Sequence, residues 1–226
     1  MKLDIQDLKW AIQRLPLNLK KVMQEPEWRG NIFVGGGYLR SIVANEPIND
    51  VDVFVKTSKD ADLLAYRICV DKKDVTRTDN AYTIKGKMVI QIIHRWLFEK
   101  PEDVSNSFDF TICCAVIYFD DKFDSFCDDR FYIDIASKRL VYRCPIRNED
   151  AGGSMLRVLK YYQKGYRIPL NSLGSVIARL IKSIDTGKGD IHDEEWVGWV
   201  ITGLLREVDP EIDPLHAAHL PSDIEP

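Results

Sequence analysis

The sequence predicts an α/β (α+β) protein: a small mixed sheet with helices packed on it, followed by a short helical C-terminal part. Three observations predict it. Between residues 31 and 54 the apolar run Ile32-Phe33-Val34 ends in Gly35, Gly36 and Gly37, a helical segment follows, and a second apolar run begins with Asp50-Val51-Asp52-Val53. That order reads strand, glycine turn, helix, strand. Further on, β-prone segments flank Lys85-Gly86-Lys87 as a hairpin would, and beyond Pro145 the pattern changes to amphipathic helices.

Taken in order, residues 3–23 place Leu8, Ile12, Leu15, Leu19 and Val22 at helical spacing, interrupted at Pro16, which gives two short helices or one kinked helix. Residues 26–30 read as a loop. Ser58 caps a helix over residues 59–70 with Leu63, Leu64 and Ile68 inward. A polar stretch over residues 71–80 leads into the hairpin. Pro101-Glu102-Asp103-Val104 starts a short helix, with proline in the first turn and acids after it. Residues 107–116 are apolar and bounded, a buried strand carrying Asp109 in its middle. Phe131-Tyr132-Ile133-Asp134-Ile135 and Leu140-Val141-Tyr142 read as short extended pieces, with Asp134 structural. Helices follow through Met155 to Tyr162, over residues 173–184, and over residues 193–208, where Trp196, Trp199, Val200 and Leu204 form an apolar stripe. The tail after Arg206 is acidic and proline-containing, and His216 and His219 within it are not expected to bind metal. The domain boundary is placed between residues 147 and 148: a head over 1–147 and a helical region with an acidic tail over 148–226.

A length of 226 residues suffices for one sizeable core with a smaller appendage, and a net charge of −4 argues against wholesale wrapping of nucleic acid. No run of about eighteen apolar residues exists, and the start of the chain lacks a basic segment followed by an apolar core. A cytoplasmic protein without a membrane span is expected. The five cysteines, Cys69, Cys113, Cys114, Cys127 and Cys144, are odd in number and lack paired metal-ligand spacing, so reduced, buried thiols are expected.

The chemistry follows from the first motif. Asp50 and Asp52 lie two apart on a strand, so their side chains share a face with Val51 on the other. Two carboxylates on one face repel unless a cation sits between them, and magnesium is commonly held by one or two carboxylates plus substrate phosphates. Glycines without Cβ atoms let a backbone approach a phosphate, and the helix they open aims N–H groups at an anion. A glycine run or an Asp-x-Asp pair alone is common in unrelated turns and strands; their combination across one helix is the signal.

Gly36-Gly37-Tyr38-Leu39-Arg40, with Asp50-Val51-Asp52 ten residues after the Arg, resembles the signature of the polymerase-beta-type nucleotidyltransferase superfamily. Within it the match is to the head domain of class II CCA-adding enzymes and bacterial poly(A) polymerases, which read Gly-Gly-x-x-Arg-Asp and then Asp-x-Asp. Asp109-Phe110-Thr111-Ile112 resembles the family's Arg-Arg-Asp-Phe-Thr-Ile-Asn-Ala, and Met155 to Tyr162 resembles its Leu-Arg-x-x-Arg-Phe segment. Four positions depart from the pattern: Ser41 for Asp, Phe108 for Arg, Cys113 for Asn and Ser154 for Arg.

The resemblance implies a nucleotidyltransferase-like fold and a two-metal transfer of a nucleoside monophosphate from a nucleoside triphosphate to a hydroxyl acceptor. Asp50 and Asp52 would hold magnesium, or manganese in its place. Asp109 would be a third acid, as metal ligand or ribose contact, unless it is structural. Gly36, Gly37, Arg40, Arg157 and Lys160 would meet the nucleotide. The implied acceptor is an RNA 3′ end, with a protein side chain or a small molecule as alternatives because the family's enzymes continue well beyond this length. The four departures also leave room for a non-catalytic nucleotide- or RNA-binding module. Base preference and oligomeric state are not read from the sequence.

Overall fold

Pro16 splits the first amphipathic stretch into α1 (Ile5–Arg14) and α2 (Leu17–Met23), as a residue without an N–H must inside a helix. These elements belong to a computed structural model that describes residues 1–69, 71–143 and 151–208, with the backbone alone for residues 72, 151 and 206–208. The chain divides into two units, Met1–Pro145 and Ile146–Pro226. The expected boundary at residues 147 and 148, Cys144, and the acidic tail with His216 and His219 lie outside the described residues.

The first unit is built on a seven-stranded mixed sheet. Its strands are β1 (Ile32–Gly35), β2 (Asp50–Val55), β3 (Val75–Arg77), β4 (Ala81–Ile84), β5 (Val89–Ile93), β6 (Ala115–Phe119) and β7 (Phe123–Cys127), in the spatial order β3-β4-β5-β2-β1-β6-β7. Only β2 and β5 pair in parallel; all other neighbours are antiparallel. The alternation of β2 decides which face is which. Val51, Val53 and Val55 are fully buried, and α3 (Gly37–Val43) and α4 (Ser58–Ile68) pack on β2, with α1 against α3 and α2 against α4. Each such valine contributes about 1.5–3 kcal/mol on leaving water. The other row of β2 is Asp50, Asp52 and Phe54. Around Phe54 that face is sealed by Phe33, Val116 and Val104 of α5 (Pro101–Asn106), with Phe98 and Phe108 at its rim.

Several local expectations are corrected. The cap of α4 is Thr57, whose hydroxyl accepts from the Asp60 N–H, so the helix starts one residue earlier than Ser58 as cap would allow. Its inward face is Ala61, Leu64, Ala65 and Ile68, and Leu63 is 51% exposed. Small alanines complete the 3–4 spacing that a count of large apolar residues assigned to Leu63. The polar stretch over 71–80 contains the edge strand β3, whose short length and exposed residues suit an edge.

Residues 107–116 do not form one strand. A bend at 107–109 is followed by a single bridge from Phe110 to Tyr142, a 3₁₀ turn over Thr111–Cys113, and only then β6. The two ends of the segment find their backbone partners in different places, and the turn joins them. Phe131–Ala136 is the helix α6, not an extended piece: Phe131 and Ile135, four apart, are buried together. Its Asp134 is fully buried and accepts from Arg130 (Nη2, 2.8 Å; Nε, 3.1 Å) and from the Thr111 hydroxyl (2.7 Å), which ties α6 to the 3₁₀ turn.

The second unit contains α7 (Ala151–Gln163), α8 (Leu170–Lys182) and α9 (Glu194–Val208), with α8 and α9 both packed on α7. Its buried side chains include Val158, Tyr161, Tyr166, Val176 and Leu180. Cys69, Cys114 and Cys127 are free thiols; burial pushes the Cys127 thiol up to about 11 and the Cys114 thiol higher still. Among the described residues no helix is long and apolar enough to cross a membrane.

Candidate active site

Asp50 and Asp52 sit at the open end of the β2 row whose other end Phe54 closes. Both are half-buried, two residues apart on one strand and therefore on one face. The sheet register sets their neighbours. Gly35, the last residue of β1, stands directly across from Asp52, and Gln91 of β5 flanks Asp52 on the other side, with Val89 beside Asp50.

The glycine turn closes on the same point. Gly36 has φ +73° and ψ −138°, a conformation that L side chains avoid. A Cβ placed on it would lie 3.3 Å from Asp52 Oδ2 and 3.0 Å from the Phe108 ring. A Cβ on Gly35 would lie 3.0 Å from the Ala115 carbonyl oxygen and 3.1 Å from the same ring. At Gly37, by contrast, nothing lies within 4 Å of an added Cβ, so the requirement for glycine is at Gly35 and Gly36. The turn runs straight into α3, whose first turn has no side-chain cap.

The second motif reaches the site through Phe108. Its ring lies over Gly35 and Gly36 and meets Phe54 edge-on, at 5.7 Å between centroids and 82°. Asp109, the next residue, is buried at 5% exposure, and its carbonyl accepts from the Arg143 N–H at 2.8 Å. Among the described residues no group of three His, Cys, Asp or Glu side chains is placed to hold a metal ion.

Arg40 is buried on α3. Its guanidinium donates to Ser41 Oγ at 2.8 Å and lies 3.4 Å from Glu46 Oε2, while Lys138 donates to Glu46 Oε1 at 2.6 Å. The side chain is 4% exposed. Ser41 and Glu46 thus surround Arg40 at the place where the resembled family carries Asp after the Arg. Arg157 and Lys160 lie in the second unit, three apart on α7, Arg157 half-buried and Lys160 exposed. The structure therefore brings together Asp50, Asp52, Gly36 and, through Phe108, the segment of Asp109. Sequence reasoning overlooked two neighbours of the pair. Gln91 had a legible signal, as the polar member of the Val89-Gln91-Ile93 row; the contact of Phe108 with the glycine turn had none.

The donor set suits a hard divalent cation: two carboxylate groups on one face of a strand.

A mixed sheet in this order, with a glycine turn entering a helix and placed opposite an Asp-x-Asp strand, defines a polymerase-beta-type nucleotidyltransferase fold resembling the head domain of CCA-adding enzymes. Solved structures match it. A CCA-adding enzyme in complex with ATP superposes with a TM-score of 0.61 at 16% identity, over 96% of this chain and 52% of the enzyme. The Thermotoga maritima CCA-adding enzyme complexed with tRNA gives 0.59 at 16% identity, over 80% of this chain and 46% of the enzyme. The chain belongs to the Gabija anti-defense 2 family, whose profile matches residues 13–138. A relative from Bacillus phage SPbetaL7, named Gabija anti-defense 2, is 31% identical over 144 residues, 62% of this chain and 35% of the relative. The chain thus spans about a third of the length of that curated relative and about half that of the solved enzymes.

Proposed function

We propose that this chain is a metal-dependent nucleotidyltransferase that moves a nucleoside monophosphate from a nucleoside triphosphate to a hydroxyl acceptor. The observation that supports the reading best is the approach of the glycine turn to the Asp52 carboxylate: Gly36 holds φ +73°, and a Cβ added there would come within 3.3 Å of Asp52 Oδ2. Asp50 and Asp52 would hold magnesium, or manganese in its place. When bound, the cation supplies charge neutralisation at the phosphates and lowers the pKa of a coordinated hydroxyl.

The chain's own groups divide the remaining work. Gly36 and Gly37, opening α3, let the triphosphate come close to backbone N–H groups. The acceptor hydroxyl gives up its proton to solvent as its oxygen bonds to the α-phosphorus, the bond from that phosphorus to the α–β bridging oxygen breaks, and pyrophosphate leaves with that oxygen. Gln91, the register neighbour of Asp52, would donate to a substrate oxygen. Arg40, enclosed with Ser41 and Glu46, acts as a positioning residue of α3, while Arg157 and Lys160 offset triphosphate charge. Asp109 contacts the ribose.

The acceptor we propose is an RNA 3′ end, as the solved neighbours with tRNA support, or a protein or small molecule acted on during resistance to the Gabija defence, as the family's name supports. The protein would act in the cytoplasm. Incubation with each α-labelled nucleoside triphosphate, magnesium and either total RNA or defence-system proteins tests this. Label should enter one acceptor class, and Asp52→Asn should abolish it; full labelling by the Asn variant overturns the proposal.

A second reading, a non-catalytic nucleotide- or RNA-binding module, has one observation in its favour. Phe108 covers Gly35 and Gly36 where the resembled family has an Arg. Nucleotide affinity that does not change between magnesium and a chelator supports this second reading over the first.

A further inference from the structure

On the face of the sheet opposite the carboxylates lies a groove of about 720 Å³ between α1, α2, α4 and the β4–β5 turn. Its floor is aliphatic: Val22, Ile68, Ile84 and Ile90 are buried and contribute surface to it. Ile84 pairs with Ile90, and Ile90 with Val51, which places this floor on the side away from Asp50 and Asp52. Leu17, 65% exposed, and the half-buried Met88 stand at its edge.

The rim is strongly basic. Arg14, Lys21, Arg67, Lys85 and Lys87 are all exposed there, against one acid among the described lining residues, Glu25, which pairs with Arg67 at 2.6 Å. That excess of positive charge occurs in a chain whose net charge is −4. Isolated exposed cations are an ordinary solvated surface. Cations ringing an aliphatic floor from four separate elements instead complement a ligand with an apolar stripe and acidic flanks.

We infer that this groove docks an acidic amphipathic helical segment of a partner protein, with leucine-like side chains on the aliphatic floor and carboxylates against Lys21, Lys85 and Lys87. Helices seat in grooves by this division of labour, and Met88 supplies an adaptable contact. A nucleic-acid strand fits less well. Single strands are gripped by aromatic platforms on which bases stack, and none of the groove's lining residues is aromatic. The surface is separate from the candidate active site, so the inference stands independently of the proposed catalysis.

The test uses the full chain and three fluorescent probes: an amphipathic helical peptide of Leu and Glu, the same peptide with Gln for Glu, and an oligouridine RNA. The acidic peptide should bind, its affinity should fall with added salt, and the Gln peptide should bind about tenfold or more weaker. Lys21→Glu combined with Lys85→Glu and Lys87→Glu should weaken the acidic peptide by a similar factor, with an unchanged near-ultraviolet circular dichroism spectrum. Should that triple variant misfold, Leu17→Ser on the exposed edge provides the same reading with intact charge and should also weaken binding. A photo-crosslinker on the peptide's apolar face should label Leu17 or Met88. The inference is overturned by no binding of the acidic peptide, by equal binding of the Gln peptide, by variants that bind as wild type does, or by RNA that competes for the groove at comparable affinity.

Discussion

One face of β2 carries two regions that differ sharply over three alternate positions. At Phe54 the surface is closed by Phe33, Val104 and Val116, and the Phe54 ring is 3% exposed. At Asp52 and Asp50 the same face is half-open, its neighbours being a glycine and a glutamine. The strand is continuous and stays paired with β5 from Asp50 to Phe54, but β1 ends at Gly35 opposite Asp52, so the opening comes from both the end of β1 and the side chains. Phe108 sits on the border: its ring meets Phe54 edge-on, and the tip of the ring lies against the glycine turn. The sealed end fixes the strand in place, and the open end leaves two carboxylates near a backbone turn. A rigid apolar base beneath a polar site is what holding charged groups in one geometry requires.

The contrast can be broken at either end. The largest effect expected is on activity: Asp52→Asn should lower label transfer about a thousandfold, the scale seen when a group that stabilises developing charge is removed, while its denaturant midpoint stays close to wild type. Phe54→Ala should do the reverse, costing about 3–5 kcal/mol of stability in a urea titration through lost burial and a cavity. Gly36→Ala lies between them. It places a side chain at φ +73° with a contact on Asp52, so we expect about 1–3 kcal/mol of destabilisation together with loss of transfer.

Phe108 sharpens the comparison because it touches both ends. Phe108→Ala should cost about 1–2 kcal/mol of stability, less than Phe54→Ala because its ring is only half-buried, and calorimetry with a nucleoside triphosphate reads whether uncovering the turn raises affinity. The smallest effect concerns the opposite row of the sheet. Cys127, buried on β7, has its thiol pushed up to about 11 by burial, from an unfolded value of about 8.5. Because the folded state holds its proton longer, stability from this group is fully present below pH 8.5 and is lost as pH rises through 11. A Cys127→Ala variant should show a shallower fall in denaturant midpoint across that range.

Much of this site is legible in local pattern. A glycine run after an apolar strand, and two carboxylates at the start of the next, determine their own faces through the two-residue period of a strand, and no distant residue is needed to place them. The same is true of Pro16 dividing α1 from α2. Leu63 and the residues of α6 were misread for a related reason. Short apolar spacings fit a strand and a single helical turn equally, and alanines facing inward are silent in a count of large side chains.

What the sequence by itself determined is therefore the strand, turn, helix and strand from residue 31 to 54, the shared face of Asp50 and Asp52, and the hairpin at Gly86. The tertiary structure alone decided that β5 would run parallel beside β2 and bring Gln91 to Asp52. It also decided that residues 107–116 would bend to lay Phe108 on the glycines, and that Glu46 and Lys138 would meet around Arg40. The physical reason is range. Periodicity follows from the geometry of consecutive residues, whereas these pairings join segments tens of residues apart, chosen by which arrangement buries the apolar faces and pairs the enclosed charges.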